Sequence, residues 1–213
     1  MNLGLLTRRS FCVAALPFGI QAQRPAQWFD IVVERGIGED WKPIVPGLIL
    51  DPGDLVRFRF TTNLDGYLYV VCRGTSGADS LLFPRPETGR NNRVEAGVEQ
   101  YVPATEARFR VAGPPGHDIV YWLMSPVPLD GGAAAILEKG GVPDANRRPA
   151  PKLVPRCDSS ILRARGQCVD SSAGPRSGRS RDLVIIQRDE RTSVSTPGAL
   201  RGPMIYEFRL AHR

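Results

Sequence analysis

Few side chains in this sequence are of types that carry covalent or acid–base chemistry. The 213 residues hold two histidines, His117 and His212, and four cysteines, Cys12, Cys72, Cys157 and Cys168. Nucleophilic catalysis of the Ser–His–Asp or Cys–His kind needs an imidazole held beside the nucleophile. His212 is the penultimate residue, where chains fray, and His117 stands in "GPPGHD", a turn expected to present it to solvent. Cys72 falls on the core side of the alternating run "YLYVVC", which predicts a buried, inert thiol. Paired carboxylates could work as acid and base, as in glycoside hydrolysis, and Glu95, Glu99 and Asp118 are the candidates. Glu95 and Glu99 share a face if "RVEAGVEQYVP" is one regular strand, but the same spacing describes a solvated edge. Zinc would need more ligands than two histidines and these cysteines offer. No glycine-rich loop precedes a helix to cradle phosphate. The sequence therefore assigns no catalytic residue, no metal ligand and no cofactor.

The first 22 residues explain one cysteine and frame the others. "TRRSF" precedes the short apolar run "FCVAALPFGI", and Ala22 precedes polar residues. A basic start, a brief apolar core and a small residue at the end describe an export signal. The consecutive arginines Arg8 and Arg9, with Phe11 two positions on, match the twin-arginine pattern in part, since Val13 stands where a lysine is frequent. A Sec signal with a basic start is the alternative. Either route predicts a periplasmic or extracellular protein, with no transmembrane segment in the mature chain. In an oxidising compartment Cys157 and Cys168, which bracket "CDSSILRARGQC", are expected to form a local disulfide, with two free thiols as the alternative.

Charge is unevenly placed on a chain of net charge +6. Residues 145–181 collect nine Arg or Lys against two Asp, including Arg163, Arg165, Arg179 and Arg181. That strap could touch an anionic envelope polymer or simply be a solvated linker. It has no aromatic residue to stack on bases, so nucleic acid is not an expected partner.

The elements that must position these groups read as strands. Period-2 runs occur at "WFDIVVE" (Trp28–Glu34), "LVRFRF" after the turn "DPGD", "GYLYVVC", "SLLFP", "RFRV" and "DIVYWLMS". Val56, Phe58 and Phe60 share one face while Arg57 and Arg59 face water. Leu68, Val70 and Cys72 alternate with Tyr67, Tyr69 and Val71. "DIVYWLMS" is apolar on both faces, as a covered central strand should be. Only "GAAAILEKGG" (Gly132–Gly141) reads as helical. "LVIIQ" and "MIYEFRL" return to strand near the end. Short strands with turns every 8–12 residues predict an all-β antiparallel β-sandwich, Ig-like in general architecture, with a long Pro/Arg-rich loop and at most one short helix. The chain divides into a signal (1–22), a sandwich core (23–144), a basic loop with the disulfide (145–181) and C-terminal strands completing the same domain (182–213).

Aromatic surface is the remaining functional hint. Tyr67, Tyr69 and Trp122 are expected on the face opposite Leu68 and Val70. They form a stacking or strand-docking surface if open, and a second core if the segment 145–213 packs over them.

The ordered set Gly66-Tyr67-Leu68-Tyr69, Leu82-Phe83-Pro84, Asn92 and Gly97, followed by "FRVAGPPGHDIVYWLMS", resembles the bacterial domain of unknown function 4384 over Leu48–Leu129. The resemblance implies an all-β module of exported or envelope proteins, sometimes found beside signalling or peptidase-like domains. It implies no reaction and no catalytic residue. The expected function is accordingly an exported, non-enzymatic module that meets an envelope protein or plays a structural role. The alternatives are a carboxylate-dependent envelope hydrolase and a binder of anionic polymer through the basic loop.

Overall fold

The computed structural model describes residues 26–131, 154–176, 183–198 and 202–213. Thirteen strands among them make two antiparallel sheets. In chain order they are β1 (Gln27–Ile37), β2 (Asp40–Ile44), β3 (Leu55–Thr62), β4 (Gly66–Arg73), β5 (Asp79–Phe83), β6 (Arg93–Val94) and β7 (Gln100–Val102). They continue with β8 (Phe109–Arg110), β9 (Gly116–Ser125), β10 (Gly174–Arg176), β11 (Val184–Arg188), β12 (Arg191–Thr196) and β13 (Met204–His212). The first sheet has the order β11-β12-β1-β3-β7, with β2 also on β1 and β8 also on β3. The second has the order β10-β13-β9-β4-β5, with β6 also on β4. The architecture is an all-β sandwich.

Alternation explains the layers. Phe29, Ile31 and Val33 of β1 and Val56, Phe58 and Phe60 of β3 face Leu68 and Val70 of β4, Val120, Trp122 and Met124 of β9, and Met204, Tyr206, Phe208 and Leu210 of β13. Face-to-face burial of two period-2 strand sets is how a sandwich forms its core. Phe29 and Phe60 stack with centroids 5.1 Å apart, and Phe58 meets Trp122 edge-on at 5.2 Å. Tyr69, Val71, Tyr121 and Leu123 form a second buried cluster on the outer face of the second sheet. Strand β9 thus buries both faces, as its sequence required.

The C-terminal strands lie beside the others, in the plane of the sheets. Strand β13 pairs with β9 from Met204↔Met124 to His212↔Gly116, and β12 pairs with the first half of β1. Strands β12 and β13 bury their apolar faces by widening the two sheets and do not pack over the tyrosines, whereas Val184 and Ile186 of the edge strand β11 stay exposed. Ile205 reaches the outer cluster from alongside, and the Leu129 amide donates to the Tyr69 hydroxyl at 3.0 Å.

Three local expectations are corrected. The segment "RVEAGVEQYVP" is not one strand: it breaks at Gly97, whose φ is +77°, so Glu95 and Glu99 do not share a strand face. His212 is not frayed, because its pairing with Gly116 seats the ring at the end of the core, 1% exposed. A helix, α1 (Ser159–Arg165), sits inside the basic loop. Asp158 caps it by accepting from the Ser160 and Ile161 amides, and Gly166 ends it at φ +66°. The helix expected at Gly132–Gly141 and the export signal lie outside the described residues. No helix among the described residues is long and apolar enough to cross a membrane.

Candidate functional site

The outer face of the first sheet carries charge where its inner face carries the core. Glu34 of β1 lies across from Arg57 on β3 and next to Arg59 on the same outer surface. It is 4% exposed, and each of its oxygens takes one arginine. Arg57 Nε donates to Oε2 at 2.7 Å and Arg59 Nε donates to Oε1 at 2.8 Å. Arg59 Nη1 then donates to Glu99 at 2.8 Å, and Tyr101 donates to the other Glu99 oxygen at 2.9 Å. These hydrogen bonds, Arg59 first, hold the Glu99 carboxyl below its ordinary range, which disqualifies it as a general acid near neutral pH.

Arg57 is fixed a second time by aromatic rings. Its guanidinium carbon lies 4.5 Å from the centroid of Trp41 and 4.6 Å from that of Tyr101. Such stacking is worth about 0.5–1 kcal/mol per ring at an exposed site. Trp41 reaches this position because β2 pairs it with Gly36, and the indole folds to within 3.7 Å of where a Gly36 Cβ would stand. Tyr101 arrives from β7, opposite Arg59. With Nε committed to Glu34, the two terminal nitrogens of Arg57 make no hydrogen bond to the described residues. Arg57 lines an open groove of about 590 Å³ whose walls include Phe83, Val98, Gln100, Pro103 and Arg108. A second cavity, of about 470 Å³, lies on the same face beside Arg59, Asp30 and Arg191.

The other chemistry-bearing cluster is Ser172, His117 and Asp170. His117 is not the solvent-facing turn residue the sequence suggested: it is the second residue of β9, with its side chain 8% exposed. Asp170 Oδ2 and Ser172 Oγ both approach its Nε2, at 3.2 and 3.3 Å. One nitrogen cannot at once donate to Asp170 and accept from Ser172, and the Ser172 hydroxyl donates to Asp170 at 2.6 Å. A nucleophile relay needs the carboxylate and the serine on opposite ring nitrogens. This arrangement is a clamp. Asp170 also accepts from the Arg156 and Ser172 amides at 2.9 and 2.7 Å. Burial alone would raise its pKa, but the Ser172 and Arg156 hydrogen bonds and the His117 charge together hold it below the ordinary value.

The sequence candidates fall in different places. Cys157 and Cys168 are bridged. Trp122 does not share a surface with Tyr67 and Tyr69, because it is 1% exposed in the core between the sheets. Tyr69 is 6% exposed and Tyr67 is half-buried in the outer cluster. Arg163 and Arg165 are exposed on α1, whereas Arg179 and Arg181 lie outside the described residues. Asp118 belongs to the second sheet, where it accepts from the Thr75 amide at 3.0 Å and stands 3.4 Å from His212. Glu99 instead precedes β7 of the first sheet, so the two carboxylates do not share a sheet. Cys72 is partly buried beside the core, and burial pushes its pKa up to about 12. Among the described residues no group of three or more His, Cys, Asp or Glu could hold a metal ion. The groove residues Trp41, Arg57 and Tyr101 were not singled out from sequence. The available signal was "DWKPI" following a turn, with an aromatic residue opposite a strand glycine.

Residues 49–128 match the model of a family described as a domain of unknown function, DUF4384. The resemblance covers β3 to β9, the strands that place Arg57 and Tyr101, and leaves β1, β2, Trp41 and everything from α1 onward outside it. No curated protein and no solved structure matches the chain.

Proposed function

We propose that the protein acts after export as a non-enzymatic binding module of the bacterial cell envelope, and that the groove beside Trp41, Arg57 and Tyr101 receives a protein partner. The carrying observation is the state of Arg57. Its guanidinium is held by Glu34 and two rings, its terminal nitrogens make no hydrogen bond to the described residues, and the residue lines an open groove. A pre-positioned fork on rigid strands loses little freedom on binding, which suits recognition. Arginine side chains in general exchange no proton near neutrality, which suits a proton-transfer role poorly. The local Cys157–Cys168 bridge and the signal-like first 22 residues support action in an oxidising compartment.

Two measurements test this. Cell fractionation with protease accessibility should place the mature chain outside the cytoplasm, and replacing Arg8 and Arg9 by Lys should block export if the twin-arginine route is used. Affinity capture from the envelope should recover one stoichiometric protein partner that the Trp41→Ala/Tyr101→Ala variant loses. A partner retained equally by that variant would move the binding site elsewhere.

A further inference from the structure

We infer that the groove selects a peptide segment carrying a carboxylate side chain, which Arg57 binds end-on through both terminal nitrogens; this deepens the binding-module reading and rests on it. Three features of the groove set the ligand's chemistry.

The first is geometric. Arg57 spends Nε on Glu34 Oε2, at 2.7 Å, and its guanidinium carbon lies over the rings of both Trp41 and Tyr101, at 4.5 and 4.6 Å. What remains is a planar pair of donors with a fixed direction. A carboxylate offers two acceptor oxygens in a plane at matching separation, so the two groups meet in parallel hydrogen bonds. Glu34 takes a single Nε donor from each of Arg57 and Arg59, so it leaves the terminal pair of Arg57 unused.

The second is charge. Glu95 and Glu106 line the groove together with Arg57, Arg93 and Arg108. A rim with acidic members tolerates one negative charge beside Arg57 and disfavours a phosphate dianion, which needs convergent cations with no carboxylate near.

The third is the surface beside the fork. Phe83, Val98, Pro103 and Ala107 give the groove apolar walls, with Val98 44% exposed, and Asn91 and Gln100 add amides that can pair with a peptide backbone. A sugar ring would instead seek bare aromatic planes. Trp41 and Tyr101 each already carry the Arg57 guanidinium on a ring face. These observations favour an acidic peptide over an acidic glycan.

The test uses the mature chain, residues 23–213, and two pentapeptide libraries identical except for a fixed central Glu or Gln. The Glu library should be retained roughly tenfold more strongly, a ratio that reflects loss of one bidentate charged pair. Arg57→Met, which keeps the aliphatic stem, should erase the preference. Arg57→Lys, which keeps the charge and loses the fork, should retain only part of it. Arg191→Met, in the neighbouring cavity, should leave it unchanged, and a thermal transition within a few degrees of native checks that each variant folds. Signals of Trp41 and Tyr101 in NMR spectra should shift with the Glu pool. Equal retention of the two libraries, or a preference that survives Arg57→Met, overturns the inference. So does movement of those signals with polygalacturonate alone, which would assign the groove to an acidic glycan. If the carboxylate preference is absent while envelope capture still depends on Trp41 and Tyr101, only the ligand class fails. If both are absent, the binding-module reading fails with it.

Discussion

Tyr206 stacks on Trp122 across the β9–β13 pair, with centroids 6.1 Å apart and ring planes 16° from parallel. One ring lies inside the family-matched segment and the other, seven residues before Arg213, lies outside it. The added strand therefore contributes to the same core as the matched one, and the stability of the whole should hinge on that contact. Tyr206→Ala should destabilise the protein by about 3–5 kcal/mol, the usual cost of deleting a buried aromatic ring. The Tyr206 hydroxyl is buried with no hydrogen-bond partner among the described residues. Tyr206→Phe should consequently be neutral or stabilising by about 1 kcal/mol, since it removes an unsatisfied polar group. Urea titration of the two variants reads both effects.

Asp170 ties the disulfide loop to the sandwich, and its titration gives that tie a pH signature. The folded carboxyl titrates below the ordinary value of 3.8. Its ionisation therefore stabilises the fold fully at pH values well above 3.8, and this contribution disappears as pH falls through the folded value. Melting temperatures of native protein and Asp170→Asn, followed from neutral to acid pH, should differ most at neutrality and converge in acid. A gap that widened toward low pH would contradict the assignment.

Gly47 marks where the same loop touches the chain before β3. A Cβ there would meet the Asp170 carbonyl oxygen at 2.7 Å and Val169 Cγ1 at 2.9 Å, and the Asp170 amide donates to the Gly47 carbonyl at 2.8 Å. Backbone cannot yield as a flexible side chain would. Gly47→Ala should lower stability by about 1–3 kcal/mol through this overpacking and displace the loop. Faster amide exchange at Val169 and Asp170 in the variant would report it; unchanged exchange would count against the contact.

Cys72 should behave as an inert thiol. With its pKa near 12, thiolate is scarce at pH 8, and the side chain is partly buried against the core. Iodoacetamide at pH 8 should label the native protein slowly and the urea-unfolded protein fully at this position. Equal labelling rates would show the side chain open to solvent.

Glu34 anchors both arginines of the outer face. Replacing it with Ala leaves two half-buried guanidiniums without their carboxylate, and should cost about 2 kcal/mol after allowance for their partial exposure. Arg57 would also lose its orientation. On the proposed reading, the variant should weaken binding at the groove more than Arg191→Met does, although Glu34 is not among the residues lining it.

Much of the sandwich was legible because its strands obey a period of two. Val56, Phe58 and Phe60 against Arg57 and Arg59, and Leu68 and Val70 against Tyr69 and Val71, separate into faces without any tertiary information. Parity does not pass from one strand to another without register, and that is where Trp122 was misplaced. Val70↔Trp122 pairing puts it in the inner core, while Tyr69 is opposite Leu123. Strand β2 was invisible because "DWKPI" contains a proline and little alternation; it exists because β1 offers it an edge from Val33 to Ile37. The helix α1 could have been read from its Asp158 cap and Gly166 stop. The groove could not: Trp41, Arg57 and Tyr101 come from three strands and meet only after three registers are set.

The central claim is that a partner docks in the groove beside Arg57. The most direct measurement places a photo-reactive residue at Glu106, which lines the groove, and at Ser76, in the exposed β4–β5 turn, and irradiates cells producing each variant. A discrete adduct from position 106 that is absent from position 76 and lost with Arg57→Met is the predicted result. The same adduct from both positions, or one indifferent to Arg57→Met, would contradict the account.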